Sequence, residues 1–496
     1  MPVQALAWVK GENVSGADMS IPNAQADRHP ASSPGMGWGA LLSGTNGVRS
    51  LALAGGVVLH AINIYIATTI LPSVVQDIGG LDLYAWNTTV FVVASILGSA
   101  LSAKLLQVAG PRGAYATGAV IFALGALICA VSPSMPVMLF GRLIQGLGGG
   151  FLFALAYAMI RVVFEPTLWP RAMALVSGMW GVATLVGPAV GGIFAELGIW
   201  RAAFWSLAPA ALLFALLAAA VLPGRDAEPG RKSSIPFPQI LLLVAAVLAI
   251  SAGSTSPDLL RNVAGIVAAG LLSALLVLVE RRAGKKLLPH GSLTPGTSIA
   301  ALYATMCLLA VTVTSGEIFV PLFLQVLHQQ PPLMAGYLAA LMAAGWTIGS
   351  VTSSGVGGRS VGRMILAAPI LQVTGMLVLA ILAPRAGSGS WVELAPICVA
   401  LVAIGLGVGL AWPHLLTGVL KAARPSEQEL AGASITTVQL FATAIGAALA
   451  GMVVNAGGLI EPGGVAGTAN AALWLFGAFA LPPAIGLFTA RRAARL

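Results

Sequence analysis

Charge is what this 496-residue chain has least of: Asp, Glu, Lys and Arg make up 8% of it, where a soluble domain carries about 25%. With 58% hydrophobic residues beside it, that scarcity excludes a globule with a fully solvated surface and points to a protein immersed in lipid. Cysteine is nearly absent. Cys129, Cys307 and Cys398 lie singly inside apolar runs, which excludes a disulfide framework and, by spacing, a Cys-based metal site. Also missing are a P-loop, a Ser/His/Asp order on an exposed elbow, a metal-ligand pair at helical spacing and a soluble domain of useful size. The run "GLGGG" at 146–150 has no strand before it and lies in an apolar span, so it is not a nucleotide loop. These absences argue against an enzyme and call for no cofactor and no metal. Without an ATP site, any uphill work has to draw on an ion gradient.

What is present is a succession of fourteen apolar runs, each long enough to cross a hydrocarbon layer of about 30 Å. The expected fold class is therefore an all-α membrane protein of fourteen transmembrane helices. An even number puts both termini on one side of the bilayer. Twenty-one of the 25 Lys and Arg residues fall in loops and tails on that side, three (Arg201, Arg261 and Arg385) fall opposite, and Arg142 lies within a span. By the excess of positive charge in cytoplasmic loops, both termini are expected in the cytoplasm. The net charge of +9 then reports topology and implies no nucleic-acid partner. Residues 1–49 are polar and rich in Gly, Pro, Ser and Ala, and read as a cytoplasmic tail without fixed structure. The Ala- and Gly-rich composition suggests a bacterial source, hence an inner (plasma) membrane, and a monomer is expected.

An internal repeat runs through the chain. "ILPSVVQ" (Pro72, Gln76) in span 1 is echoed by "FVPLFLQ" (Pro321, Gln325) in span 9, at an offset of 249, and "LGSALSAKLLQVAGPR" (97–112) by "IGSVTSSGVGGRSVGR" (348–363). The organisation read from this is a six-helix bundle over 50–222, two inserted helices with their linkers over 223–297, a second six-helix bundle over 298–490, and a short tail over 491–496.

Span 5 reads "SGMWGVATLVGPAVGGIFAELGIWRAAFW". It holds the pattern GPxxGG as Gly187, Pro188, Gly191 and Gly192, followed by Trp200 and Arg201. Span 4 holds R-x-x-Q-G as Arg142, Gln145 and Gly146. In these motifs and in its six plus two plus six layout, the sequence resembles the major facilitator superfamily, in particular its fourteen-span drug:proton antiporter branch. The resemblance covers about residues 50 to 490. It implies two bundles that alternate access to a central cavity, with Gly178, Gly187, Pro188, Gly191 and Gly192 as gating or hinge positions. Small residues let helices approach closely, and Pro188 removes an amide donor.

Arg142 and Gln145 share a helix face, which suits a water-facing stripe, although Arg142 is close enough to the end of its span to snorkel. Other positions depart from the family pattern. Asn63 stands where the family has an Asp in span 1; Gln107 and Arg359 stand where the two loop motifs have their acid. The one carboxylate deep within a span is Glu317. By elimination it is the candidate proton-coupling group, with Arg142 as its electrostatic partner. His60 and Asn63, three apart on one face, together with Tyr65, Gln145, Trp346 and Trp412, are the candidates to line a substrate cavity. The expected function is secondary export of amphiphilic or hydrophobic small molecules in exchange for protons, as in multidrug efflux. Two other readings stay open: a specialised metabolite or lipid carrier without proton coupling, and a membrane sensor on a degenerate transporter fold.

Overall fold

The computed structural model describes residues 38–224, 235–255 and 258–495, and every regular element in them is helical. The helices are α1 (Trp38–Leu42), α2 (Gly44–Ile78), α3 (Trp86–Ala130), α4 (Met135–Val163), α5 (Trp169–Glu196), α6 (Arg201–Val221), α7 (Phe237–Gly253), α8 (Leu259–Arg282), α9 (Ser298–Leu327), α10 (Pro332–Ser354), α11 (Arg359–Leu382), α12 (Trp391–Ala422), α13 (Gln428–Ala456), α14 (Gly464–Phe479) and α15 (Leu481–Ala493). Among the described residues twelve helical stretches are long and apolar enough to cross a membrane, and α7 is a shorter apolar helix of 17 residues. The chain is an all-helical, multi-pass membrane protein. Only helices suit such a sequence, because each backbone amide then finds its acceptor within its own segment and none is left bare in hydrocarbon.

Several boundaries differ from the sequence pattern, each for a local reason. Helix α3 counts 45 residues, about 67 Å at 1.5 Å per residue, but Gly110 breaks it with φ 68° and ψ 174°, immediately before Pro111. At the far end of the chain, Ala480 separates α14 from α15, which starts with Pro482 and Pro483 in its first turn. Residues 38–49, assigned to the tail by their polarity, are almost wholly helical. Leu41 is fully buried there, and its carbonyl accepts from the Ser50 hydroxyl at 3.1 Å. The rest of the expected tail lies outside the described residues.

The repeat is visible in how helices touch. A Cβ at Gly98 of α3 would meet the backbone of α4, and Gly146 and Gly150 of α4 lie against the carbonyls of Phe91 and Ser95. In the second half, Gly349 of α10 lies against Leu406, while Gly405 and Gly409 of α12 lie against Met342 and Trp346. Helices pressed this close gain dispersion contact that any side chain would forbid, which is the main cohesive term in lipid.

The two halves are joined most tightly at the end remote from the chain termini. Gly192 of α5 abuts Leu333 of α10, the Leu333 amide donates to Glu196 Oε1 at 3.1 Å, and Tyr337 Oη donates to the Leu185 carbonyl at 3.1 Å. Tyr84 stacks on Phe319 of α9 at 5.2 Å, and Asn455 Nδ2 of α13 donates to the Asp82 carbonyl at 3.2 Å. Toward the termini the halves part. Gly178 lies fourteen residues, close to four turns, before Gly192 on the same face of α5, and among the described residues nothing from another element comes within 4 Å of its Cβ position.

Helices α7 and α8 form a hairpin whose glycines, Gly253 and Gly265, touch. Helix α7 lies against both halves. Trp86 Nε1 of α3 donates to the Ser251 carbonyl at 3.0 Å, and Asn455 Nδ2 donates to the Ser254 carbonyl at 2.7 Å. At the other end of α8, buried Glu280 clasps the chain that leads on to α9: its Oε1 accepts from the amides of Leu287 and Leu288 at 2.8 and 2.9 Å, and Oε2 accepts from Gln239 at 3.1 Å.

Candidate functional site

Arg142 is only 1% exposed, which removes snorkelling from its possible settings. Helices α2, α3 and α4 enclose it. Its Nη1 donates to Asn63 Oδ1 at 3.0 Å and to Gln145 Oε1 at 2.7 Å, its Nε donates to the Asn87 carbonyl at 3.3 Å, and its Cζ lies 4.2 Å from the centre of the Phe91 ring. The helical spacing of Arg142 and Gln145 produces the second contact directly. All the hydrogen-bonding partners are neutral. A buried cation held only by neutral groups is costly, and removing its partners costs about 1 to 3 kcal/mol for each polar atom left unpaired.

His60 lies one helical turn from Asn63, on the side facing the termini. It stacks on Phe153 at 5.1 Å and packs near Phe91 at 5.3 Å and Trp180 at 6.2 Å. Its Nδ1 has no hydrogen-bond partner, and it is the atom nearest to the Cβ position of Gly149. Going inward along α4, the order is therefore Arg142, then the ring cluster of His60, Phe153 and Trp180, then Tyr157, whose hydroxyl lies 3.3 Å from Ser177 Oγ beside the opening.

Glu317 has a different setting. It lines a narrow cleft between the halves, together with Ile64, Tyr65, Thr68, Thr69, Pro321, Gly336, Ala339 and Ala340. It is half-buried, and among the described residues it has no ion-pair partner; the pairs there are Arg201 with Asp77 at 2.5 Å and Arg261 with Asp258 at 3.8 Å. Arg142 and Glu317 thus form no pair. Helix α2 stands between them, with Asn63 turned to Arg142 and Ile64, Tyr65 and Thr68 turned to the cleft.

The span-5 glycines position this cleft. Gly187 lets α5 lie on the Cβ of Tyr65, a Cβ at Gly191 would stand 3.1 Å from the Ile66 carbonyl oxygen, and one at Gly336 of α10 would stand 2.8 Å from Thr69 and 3.1 Å from Pro188. Gly187 and Gly191 thus serve contacts within the first half, whereas Pro188 and Gly192 serve the joint between halves. Trp346 and Trp412 form an edge-to-face pair at 5.1 Å between α10 and α12, and neither lines the Glu317 cleft.

Three participants escape a reading of sequence alone. Asn87 and Phe91 complete the surroundings of Arg142; the polar run "NTT" opening α3 was the available signal. Asp77 accepts from both Arg201 and Trp200, which gives the WR pair a fastening role at the far end of α2.

The profile of the Major Facilitator Superfamily matches residues 53–450. A protein of Mycobacterium tuberculosis named "Probable multidrug-efflux transporter" is 40% identical over 426 residues, 84% of this chain and 89% of the relative. "Multidrug resistance protein 3" of Bacillus subtilis is 24% identical over 420 residues, covering 81% and 78%. Among solved structures, a bacterial homologue of the human lysosomal transporter Spinster, inward-facing and unoccupied, superposes with a TM-score of 0.61 at 16% identity, over 91% of this chain and 97% of the other. A peptide transporter in complex with sulfate gives 0.66 at 13%, over 94% and 98%. These likenesses describe the fold. On the family profile and the 40% identity across most of its length, the chain belongs to the major facilitator superfamily.

Proposed function

We propose that this protein exports amphiphilic or hydrophobic small molecules across the cell membrane, by alternating access of two six-helix bundles in exchange for protons. The observation that carries the reading is the Glu317 cleft: an acid without an ion-pair partner among the described residues, beside an aromatic and two threonines, at the joint between halves that is closed at one end and open at the other. The names of the relatives support the multidrug class.

Fourteen spans follow if α3 counts as two at Gly110, α14 and α15 count as one, and the 17 residues of α7, about 25 Å long, cross with α8. The bundles are then 50–222 and 298–490, with 223–297 inserted. The Lys and Arg bias supports cytoplasmic termini in a bacterial inner membrane, so the open end faces the cytoplasm. Monomers suffice, since each chain carries both halves. Glu317 carries the proton, and Arg142 fixes α2, α3 and α4 around a positive centre behind it. Tyr65 touches substrate first; His60, Asn63, Gln145, Trp346 and Trp412 line the path when the rings move. Gly178, Gly187, Pro188, Gly191 and Gly192 are the gating or hinge positions, with Gly192 at the closed joint and Gly178 at the open end.

Expression in a drug-susceptible bacterial host tests this. Tolerance to several unrelated amphiphiles should rise, and accumulation of fluorescent ones should fall until the pH gradient is collapsed. A single affected compound would replace the multidrug reading with the specialist one. No effect on any compound, at verified membrane levels, contradicts export.

A further inference from the structure

The surroundings of Arg142 hold more donors than acceptors. A guanidinium only donates, so the side-chain oxygens of Asn63 and Gln145 have to face it, and they do, at 3.0 and 2.7 Å. That fixes both amides. Nδ2 of Asn63 and Nε2 of Gln145 are turned away from the cation, and neither finds an acceptor among the described residues. Asn87, whose carbonyl takes the Arg142 Nε, adds a third amide nitrogen without an acceptor; its own Oδ1 is unpartnered too. All three amide side chains belong to residues no more than 1% exposed. The cluster is thus one fixed positive charge and three unsatisfied donors, on three helices, with no carboxylate bonded to any of them. Such a set lacks one kind of partner: a compact group that carries negative charge and only accepts hydrogen bonds.

We propose that the Arg142 cluster is a binding site for a monovalent anion, which supplies the charge that an acid at position 63 would otherwise provide. Phe91 covers one face of the guanidinium, so the ligand approaches its edge and is small, a halide or a carboxylate group. It enters from the open end past His60, Phe153 and Trp180. Rotation of the His60 ring beside Gly149, where no side chain stands, uncovers the cluster. Two sources share this chemistry: an inorganic anion such as chloride, or the acidic group of a solute.

The site can be tested without any transport assay, so its failure and that of the export reading are separate. The thermal midpoint of the purified full-length protein in detergent is measured at constant ionic strength, with bulky gluconate replaced by chloride, bromide or acetate. The expected result is a saturable rise of about one to two degrees; an anion at ten times its Kd raises the folding constant about elevenfold. Asn63→Asp, which brings its own carboxylate, should raise the midpoint in gluconate and remove the response. Arg142→Gln should also remove it. A response to the halides assigns the site to an inorganic anion; a response to acetate alone assigns it to the acidic group of an organic solute. The proposal is overturned if wild-type protein is indifferent to all three anions, or if Asn63→Asp responds to them as wild type does.

Discussion

Arg142 and Glu317 carry opposite charges on two sides of the same helix, and they are held in opposite ways. The arginine is enclosed within one bundle and tied by three hydrogen bonds to α2, α3 and α4; the glutamate faces a cleft between bundles and has no ion-pair partner among the described residues. When two bundles rock against each other, a group inside one of them keeps its surroundings, while a group at the joint exchanges one set of neighbours for another. Burial and bonding therefore mark Arg142 as a fixture of the first half. Under the proposed alternating access, Glu317, at the joint, is the group whose contact with water would change between states. Energy permits one carboxylate to suffice: a proton moving down about 100 mV releases about 2.3 kcal/mol, which supports roughly a fiftyfold gradient of a neutral solute.

The sharpest way to break this contrast is to measure stability and transport separately. Arg142→Ala strips the donor from two amide oxygens and a carbonyl, so a loss of about 3 kcal/mol is expected, read as a fall in the thermal midpoint of purified protein. Glu317→Ala, where no ion pair is lost, should move that midpoint by less than about 0.5 kcal/mol equivalent. Equal destabilisation by both would erase the distinction.

A second comparison runs along α5. Gly192→Ala would drive a methyl group into Leu333 of α10, whereas Gly178→Ala projects into open space. More than tenfold loss of flux is expected for the first at equal expression, with less than threefold for the second. Comparable losses from both would show that Gly192 is not special to the joint.

Pro188→Ala comes next. It restores an amide donor in the helix and removes the ring that lies against Gly336, so flux should change severalfold with folding intact. Unaltered flux would free the proline of any gating role. The smallest effect is expected from Tyr65→Phe, which keeps the ring in the cleft and removes one hydroxyl. The order of preference among substrates should shift by a few-fold without loss of coupling, as read by competition between two fluorescent substrates.

Much of this architecture could be read from the chain. Apolar run lengths pointed to an all-helical membrane protein, which the structure is, with twelve candidate spans among the described residues where fourteen were read. Pro72 with Gln76 matched Pro321 with Gln325 in two helices whose ends do meet across the joint, where Gln325 Nε2 reaches the Thr69 carbonyl at 3.5 Å. The spacing of Arg142 and Gln145 put them on one face because helical geometry is local. Contacts between distant segments were not legible. Asn63 and Arg142 are 79 positions apart, Glu196 and Leu333 are 137 apart, and no periodicity encodes either meeting. Nor could the sequence tell Gly178 from Gly192. Both are small residues on one stripe, and only the partner helix, present at one level and withdrawn at the other, separates them. The polar run before span 1 hid a helix for a similar reason: its stability comes from Leu41 packing into the bundle rather than from local preference.

The central claim is that Glu317 couples export to protons. Its most direct test is substrate flux in proteoliposomes under an imposed pH gradient, with and without membrane potential, for wild type and Glu317→Gln. Gln keeps the shape of the side chain but cannot ionise. Wild-type protein should accumulate substrate against its gradient, and the Gln variant should lose that accumulation while retaining binding and downhill exchange. If Glu317→Gln still concentrates substrate as wild type does, the proton is carried elsewhere and the account is wrong.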